Sequence, residues 1–108
     1  MNGPYILNTN TISTFVTSVS PGAYILSTDG LKASYIGRSD GDVGARLKTW
    51  TGKGYTHFWF DYATSPKAAF DLECIWGHSY LILNNLIHPA RPTNSGWQCP
   101  RCNIFQTP

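Results

Sequence analysis

Gly22-Ala23-Tyr24-Ile25-Leu26-Ser27-Thr28, then Asp29-Gly30, then Ala33-Ser34-Tyr35-Ile36-Gly37-Arg38 is the stretch on which the fold turns. Two runs of apolar, β-branched and aromatic residues flank an Asp-Gly pair, which predicts an antiparallel hairpin over 23–28 and 33–37. Downstream, Asp40-Gly41-Asp42 offers Asp caps to a helix through Val43, Ala45, Arg46, Leu47 and Trp50, closed by Gly52 and Gly54. Residues 56–63 alternate, with Phe58, Phe60 and Tyr62 on one face, and predict a third strand. Ser65-Pro66 is a capped start with proline at the first helical position. The helix it opens is expected to run to about Leu83 and to bury Ala68, Leu72 and Ile75.

Upstream, residues 4–19 are rich in Thr and Ser with Ile12, Phe15 and Val16 scattered among them, and read as a short strand or helix packed onto the domain. Pro21-Gly22 breaks that segment from the hairpin. After Asn84-Asn85 the chain turns irregular, with Pro89, Pro92 and Gly96. The expectation is one α+β domain over 1–108, a small three-stranded antiparallel sheet flanked by helices. Residues 1–20 are its extension, 22–85 its core and 86–108 a metal-tied tail.

Composition supports order. Of 108 residues 42% are hydrophobic and 13% charged, which excludes a disordered tail. The net charge of +2 admits a nucleic-acid partner without demanding one. Apolar runs fall far short of the ~20 residues a membrane span needs, and no leader-like start is present, so a soluble, cytoplasmic protein is expected. Three cysteines cannot all pair internally, so a metal site or redox pair is the better reading.

Cys99 and Cys102 form a Cys-x-x-Cys knuckle around Pro100, and Cys74 and His78 stand four apart on one helix face. Together they make a Cys₃His set suited to structural zinc, which would staple the tail to the helix. His88 is the alternative imidazole, and a reduced or redox-active Cys99/Cys102 pair the alternative chemistry. Four closed protein ligands leave no open position, so such a zinc is structural.

Gly22-Ala23-Tyr24 and Tyr35-Ile36-Gly37 resemble the two motifs that name the GIY-YIG nucleases, with Ala23 where the first motif has Ile. Arg46, Glu73 and Asn85 match further family positions, and the resemblance covers about 22–85. It implies a metal-dependent endonuclease. One of Tyr24 and Tyr35 would be the general base, Arg46 would neutralise the scissile phosphate, and Glu73 would hold Mg²⁺ or Mn²⁺. Arg38 stands where the family often has a basic residue. Trp50 stands where it often has His or Tyr, and an indole cannot supply their proton chemistry.

The residue types suit that reaction independently. A phenol is a base once its pKa, near ~10, is lowered. A guanidinium matches phosphate oxygens, and a carboxylate is a hard ligand for Mg²⁺. The expected partner is nucleic acid, DNA ahead of RNA, with a homodimer or protein partner as a source of specificity. The competing readings are a binding module that keeps fold and zinc but does not cut, favoured by Trp50, and a protein-interaction domain anchored by Trp59, Trp76 or Trp97.

Overall fold

The computed structural model describes residues 1–80 and 89–101. Along the chain run β1 (Asn2–Ile6), α1 (Thr9–Phe15), β2 (Gly22–Ser27), β3 (Tyr35–Ser39), α2 (Val43–Lys48), β4 (His57–Tyr62) and α3 (Pro66–Tyr80). The architecture is α+β. The sheet has four strands in the order β1-β4-β2-β3, each pair antiparallel. The additional strand comes from the N-terminal segment, which supplies both a strand and a helix.

Sheet position explains burial. β2 lies between β4 and β3 and every one of its residues is buried, as its unbroken apolar run requires. One face carries Tyr24, Leu26, Phe58 and Phe60, covered by Ile12 and Val16 of the α1 region and by Val43 and Leu47 of α2. The opposite face carries Ala23, Ile25 and Ile36, covered by Trp76 of α3 with Leu72 and Ile75 beside it. Full burial of a side chain such as Phe58 contributes about 1.5–3 kcal/mol.

Local signals account for most element ends. The Asn8 carboxamide accepts from the Thr11 amide at the start of α1, and the Asp42 carboxylate accepts from the Ala45 amide at the start of α2. Ser65 Oγ accepts from the Ala68 amide, with Pro66 opening α3 as expected. The α2 helix ends at Lys48, short of Trp50. Its last turn tightens, with Thr49 and Trp50 amides donating to the Arg46 and Leu47 carbonyls three residues back.

The hairpin has the expected strands but not a two-residue turn. Residues 28–34 form the connection, where Asp29 Oδ1 accepts from the amides of Leu31 and Lys32 and from Ser27 Oγ. On α3 the buried residues are Ala69, Phe70, Glu73, Cys74 and Trp76, so the buried stripe is displaced from the expected Ala68, Leu72 and Ile75, which are partly buried. The helix buries a carboxylate and a thiol, and hydrophobicity alone misplaces such a stripe. Its expected end at Leu83 lies outside the described residues.

Candidate active site

β3 is an edge strand, and residues from both sheet faces meet around it. The register sets Tyr24 opposite Gly37 and Leu26 opposite Tyr35, so both phenols share one face. Gly37 is required there. A Cβ at that position would sit 2.5 Å from Tyr24 Cζ, so only a glycine lets the ring lie across β3. Arg38, one residue on, points to the other face and meets α3.

Tyr24, Tyr35, Gly37, Arg38, Asp40, Arg46, Glu73 and Ala90 line one open cleft of about 340 Å³. Of the residues singled out in the sequence, Tyr24, Tyr35, Arg38, Arg46 and Glu73 are thus brought together. Asn85 lies outside the described residues, as do His88 and Cys102.

Arg38 is the organising cation. Its Nη1 donates to Glu73 Oε1 at 2.7 Å, its Nε donates to Asp40 Oδ1 at 3.0 Å, and its guanidinium lies 5.3 Å above the Phe70 ring. Burial opposes its charge, but the bonds to Glu73 and Asp40 outweigh that and raise its affinity for the proton. Glu73 is only 7% exposed, and this pairing gives its buried carboxylate a cationic partner. Asp40, read in the sequence as a cap, is an Arg38 anchor instead; the capping carboxylate is that of Asp42.

Tyr24 is 1% exposed, and its Oη accepts a 2.8 Å hydrogen bond from Trp50 Nε1. Burial pushes its pKa up to about 12; the Trp50 hydrogen bond works the other way, as does the Arg46 charge, while Tyr35 and Glu73 add to the rise. Tyr35 is also raised, by burial first and then by the charges of Glu73 and Tyr55, against Arg46. Arg46 is exposed on α2, and among the described residues it has no ion-pair partner.

Trp50 is where the sequence reading falls shortest. Its ring packs 4.7 Å from Tyr35 and 5.8 Å from Tyr55 while its N–H holds the Tyr24 oxygen. Tyr55 and Phe70 have no distinguishing sequence signal; only the fold places one beside Trp50 and the other under Arg38.

The cysteine set is separated from this cleft by Phe70. Cys74 and Cys99 are buried together with Phe70, and Cys99 Sγ lies 3.5 Å from His78 Nε2. Burial and the neighbouring Cys99 thiol push the Cys74 thiol up. Among the described residues no three His, Cys, Asp or Glu side chains form a metal-holding group by themselves. Of the candidate protein anchors, Trp76 is buried, Trp59 is partly buried beside it, and Trp97 is tilted against Phe70.

No family model matches the chain, and no solved structure matches it. It is similar to a protein of Arthroderma otae named vacuolar membrane protease, 42% identical over 62 residues. That match covers 56% of this chain and 6% of that protein. Among the described residues no helix is long and apolar enough to cross a membrane.

Proposed function

We propose that the chain is a divalent-metal-dependent endonuclease of the GIY-YIG type, hydrolysing nucleic-acid phosphodiester bonds in the cleft beside β3. The observation that supports this best is the meeting of Tyr24, Tyr35, Arg46 and Glu73, drawn from two strands and two helices, around one cleft. A convergent base, cation and carboxylate are what the reaction asks of a protein. The protease named in the A. otae protein is not carried over, since the match spans 6% of its length.

Tyr24 is the base. The Trp50 N–H is a donor only, so it occupies a lone pair of the Tyr24 oxygen and stabilises the phenolate that accepts a proton from the attacking water. Arg46, exposed at the rim, binds the phosphate and offsets charge developing on its oxygens. Glu73 fits a hard cation, being a buried carboxylate on the cleft wall, with Asp40 the other carboxylate there. When bound, Mg²⁺ or Mn²⁺ supplies positive charge for the leaving oxygen. Arg38 orients the Glu73 carboxylate through the 2.7 Å bond. The substrate class is DNA ahead of RNA, and a domain this small leaves specificity to a second copy or a protein partner.

A second reading has a specific observation behind it. Trp50 cannot relay a proton away from Tyr24, which suits a binding module on the same scaffold that does not turn over. Incubation with plasmid and single-stranded DNA, with Mg²⁺, Mn²⁺ or chelator, separates the two. Metal-dependent nicking supports the nuclease. Salt-dependent binding without cleavage of plasmid, single-stranded or branched DNA or RNA supports the module.

A further inference from the structure

Residues 49–56 link α2 to β4. Trp50 and Tyr55 from this loop meet Tyr35 of β3, which also lines the cleft. All three rings are half-buried and pack against the core that includes Tyr24 and Leu47. No two of them lie parallel. Their planes cross at 46° for Tyr35 and Trp50, 47° for Tyr35 and Tyr55, and 77° for Trp50 and Tyr55. Rings crossed in this way do not cover one another's faces, so aromatic face is left over for a further ring. The charge along this segment has one sign. Residues 43–60 contain Arg46, Lys48 and Lys53 and no Asp or Glu. All three cations are exposed, and none is in an ion pair among the described residues. Gly52 and Gly54, at φ 76° and 99°, turn the chain around Lys53, and a Cβ on either would meet nothing within 4 Å. The loop tip with its lysine therefore stands in open solvent.

We propose that Trp50 and Tyr55, with Tyr35, form a stacking platform for an unpaired nucleobase beside the phosphate held in the cleft, a proposal that deepens the nuclease reading and rests on it. A duplex keeps its base faces against their own neighbours. An unpaired base presents its face to the protein, and every base has one. Lys48 and Lys53 meet the flanking phosphates. The reach is suitable: Tyr55 lies 6.4 Å from Tyr35 on the cleft wall, about two base steps of ~3.4 Å. The favoured substrate class is therefore a strand with unpaired nucleotides at the cut (a single strand, a flap or a branch point) ahead of continuous duplex. Negatively supercoiled plasmid, whose torsion favours opened base pairs, supplies such sites as well. Trp50 links the platform to the chemistry. The indole that flanks the nucleobase also donates its N–H to Tyr24 Oη at 2.8 Å, so a base stacked there holds the Tyr24 partner in place.

The test is binding of the full chain, in chelator so that nothing is cut, to labelled oligonucleotides: a single strand, a flap and a blunt duplex of equal length. The single strand and the flap should bind about tenfold or more tighter than the duplex at one salt concentration. Tyr55→Ala should weaken single-strand binding by about 5- to 150-fold and Tyr55→Phe should restore it, with the salt slope unchanged in both. Tyr55→Leu keeps apolar bulk against the core, so it replaces the alanine variant if that one unfolds, and it should also bind weakly. Lys53→Ala should instead lower the salt slope by about 0.7. A thymidine oligomer should quench the indole fluorescence of the wild type, and Trp50→Phe should lose that quench although Trp59, Trp76 and Trp97 remain. A folded Tyr55→Leu chain that binds the single strand as the wild type does overturns the proposal, as does equal affinity for strand and blunt duplex. Metal-dependent plasmid nicking is read separately, so the platform can fail with the nuclease reading standing, and the reverse.

Discussion

Trp50→Phe isolates the hydrogen bond that sets the base. Phenylalanine retains a ring against Tyr35 and Tyr55, now 4.7 and 5.8 Å from the indole, but removes the N–H that reaches Tyr24 Oη at 2.8 Å. A hydrogen bond to a charged group contributes about 1.5–3 kcal/mol and one to a neutral group about 0.5–1.5, so phenolate loses about 1 kcal/mol relative to phenol. That is roughly a fivefold smaller phenolate population at a given pH. The sign is set by Tyr24 already lying at about 12: deprotonation rises with pH, and only ~10⁻⁴ of it is phenolate at pH 8 without a bound cation. The wild-type nicking rate should climb about tenfold per pH unit across the neutral and mildly alkaline range. The variant should follow a parallel line shifted to higher pH by about 0.7 unit, and so be slower at any given pH. Plasmid nicking in Mg²⁺ from pH 6.5 to 9.5 reads both, and an absorbance titration of the tyrosines reads the displacement without turnover. Superimposed profiles and titrations would refute the role given to Trp50.

Other perturbations test neighbouring links. Gly37→Ala places a Cβ 2.5 Å from Tyr24 Cζ, and should cost about 1–3 kcal/mol by thermal or urea unfolding while depressing cleavage. An unchanged midpoint would show that β3 yields at that point. Arg46→Ala, at an exposed position, should leave the unfolding midpoint in place, weaken nucleic-acid binding and reduce the slope of log affinity against log salt by about 1. An unchanged slope would remove Arg46 from the phosphate contact.

What the sequence made legible follows from how local each signal is. The hairpin, the Ser65-Pro66 start and the Asp42 cap depend on neighbours within a few residues, and the structure has all three. β1 was not resolved from a helix because its edge position and the register shift between Asn2 and Tyr5 erase strict alternation. The buried stripe of α3 was misplaced because its interior includes Glu73 and Cys74, whose burial depends on Arg38 from β3 and Cys99 from the tail. The cleft residues were recognisable as types in order. Their partners were not: Trp50 on Tyr24, Asp40 and Phe70 on Arg38 are contacts made by loops and by long-range packing.

The most direct measurement is cleavage of supercoiled plasmid by the wild-type chain and by Glu73→Gln, each with Mg²⁺, Mn²⁺ or chelator. Glutamine keeps the shape against Arg38, which retains its 3.0 Å bond to Asp40, but withdraws the charge that would hold the ion. The account predicts metal-dependent nicking by the wild type and a loss of roughly a hundredfold or more in the folded variant. Equal metal-dependent nicking by both proteins would contradict it.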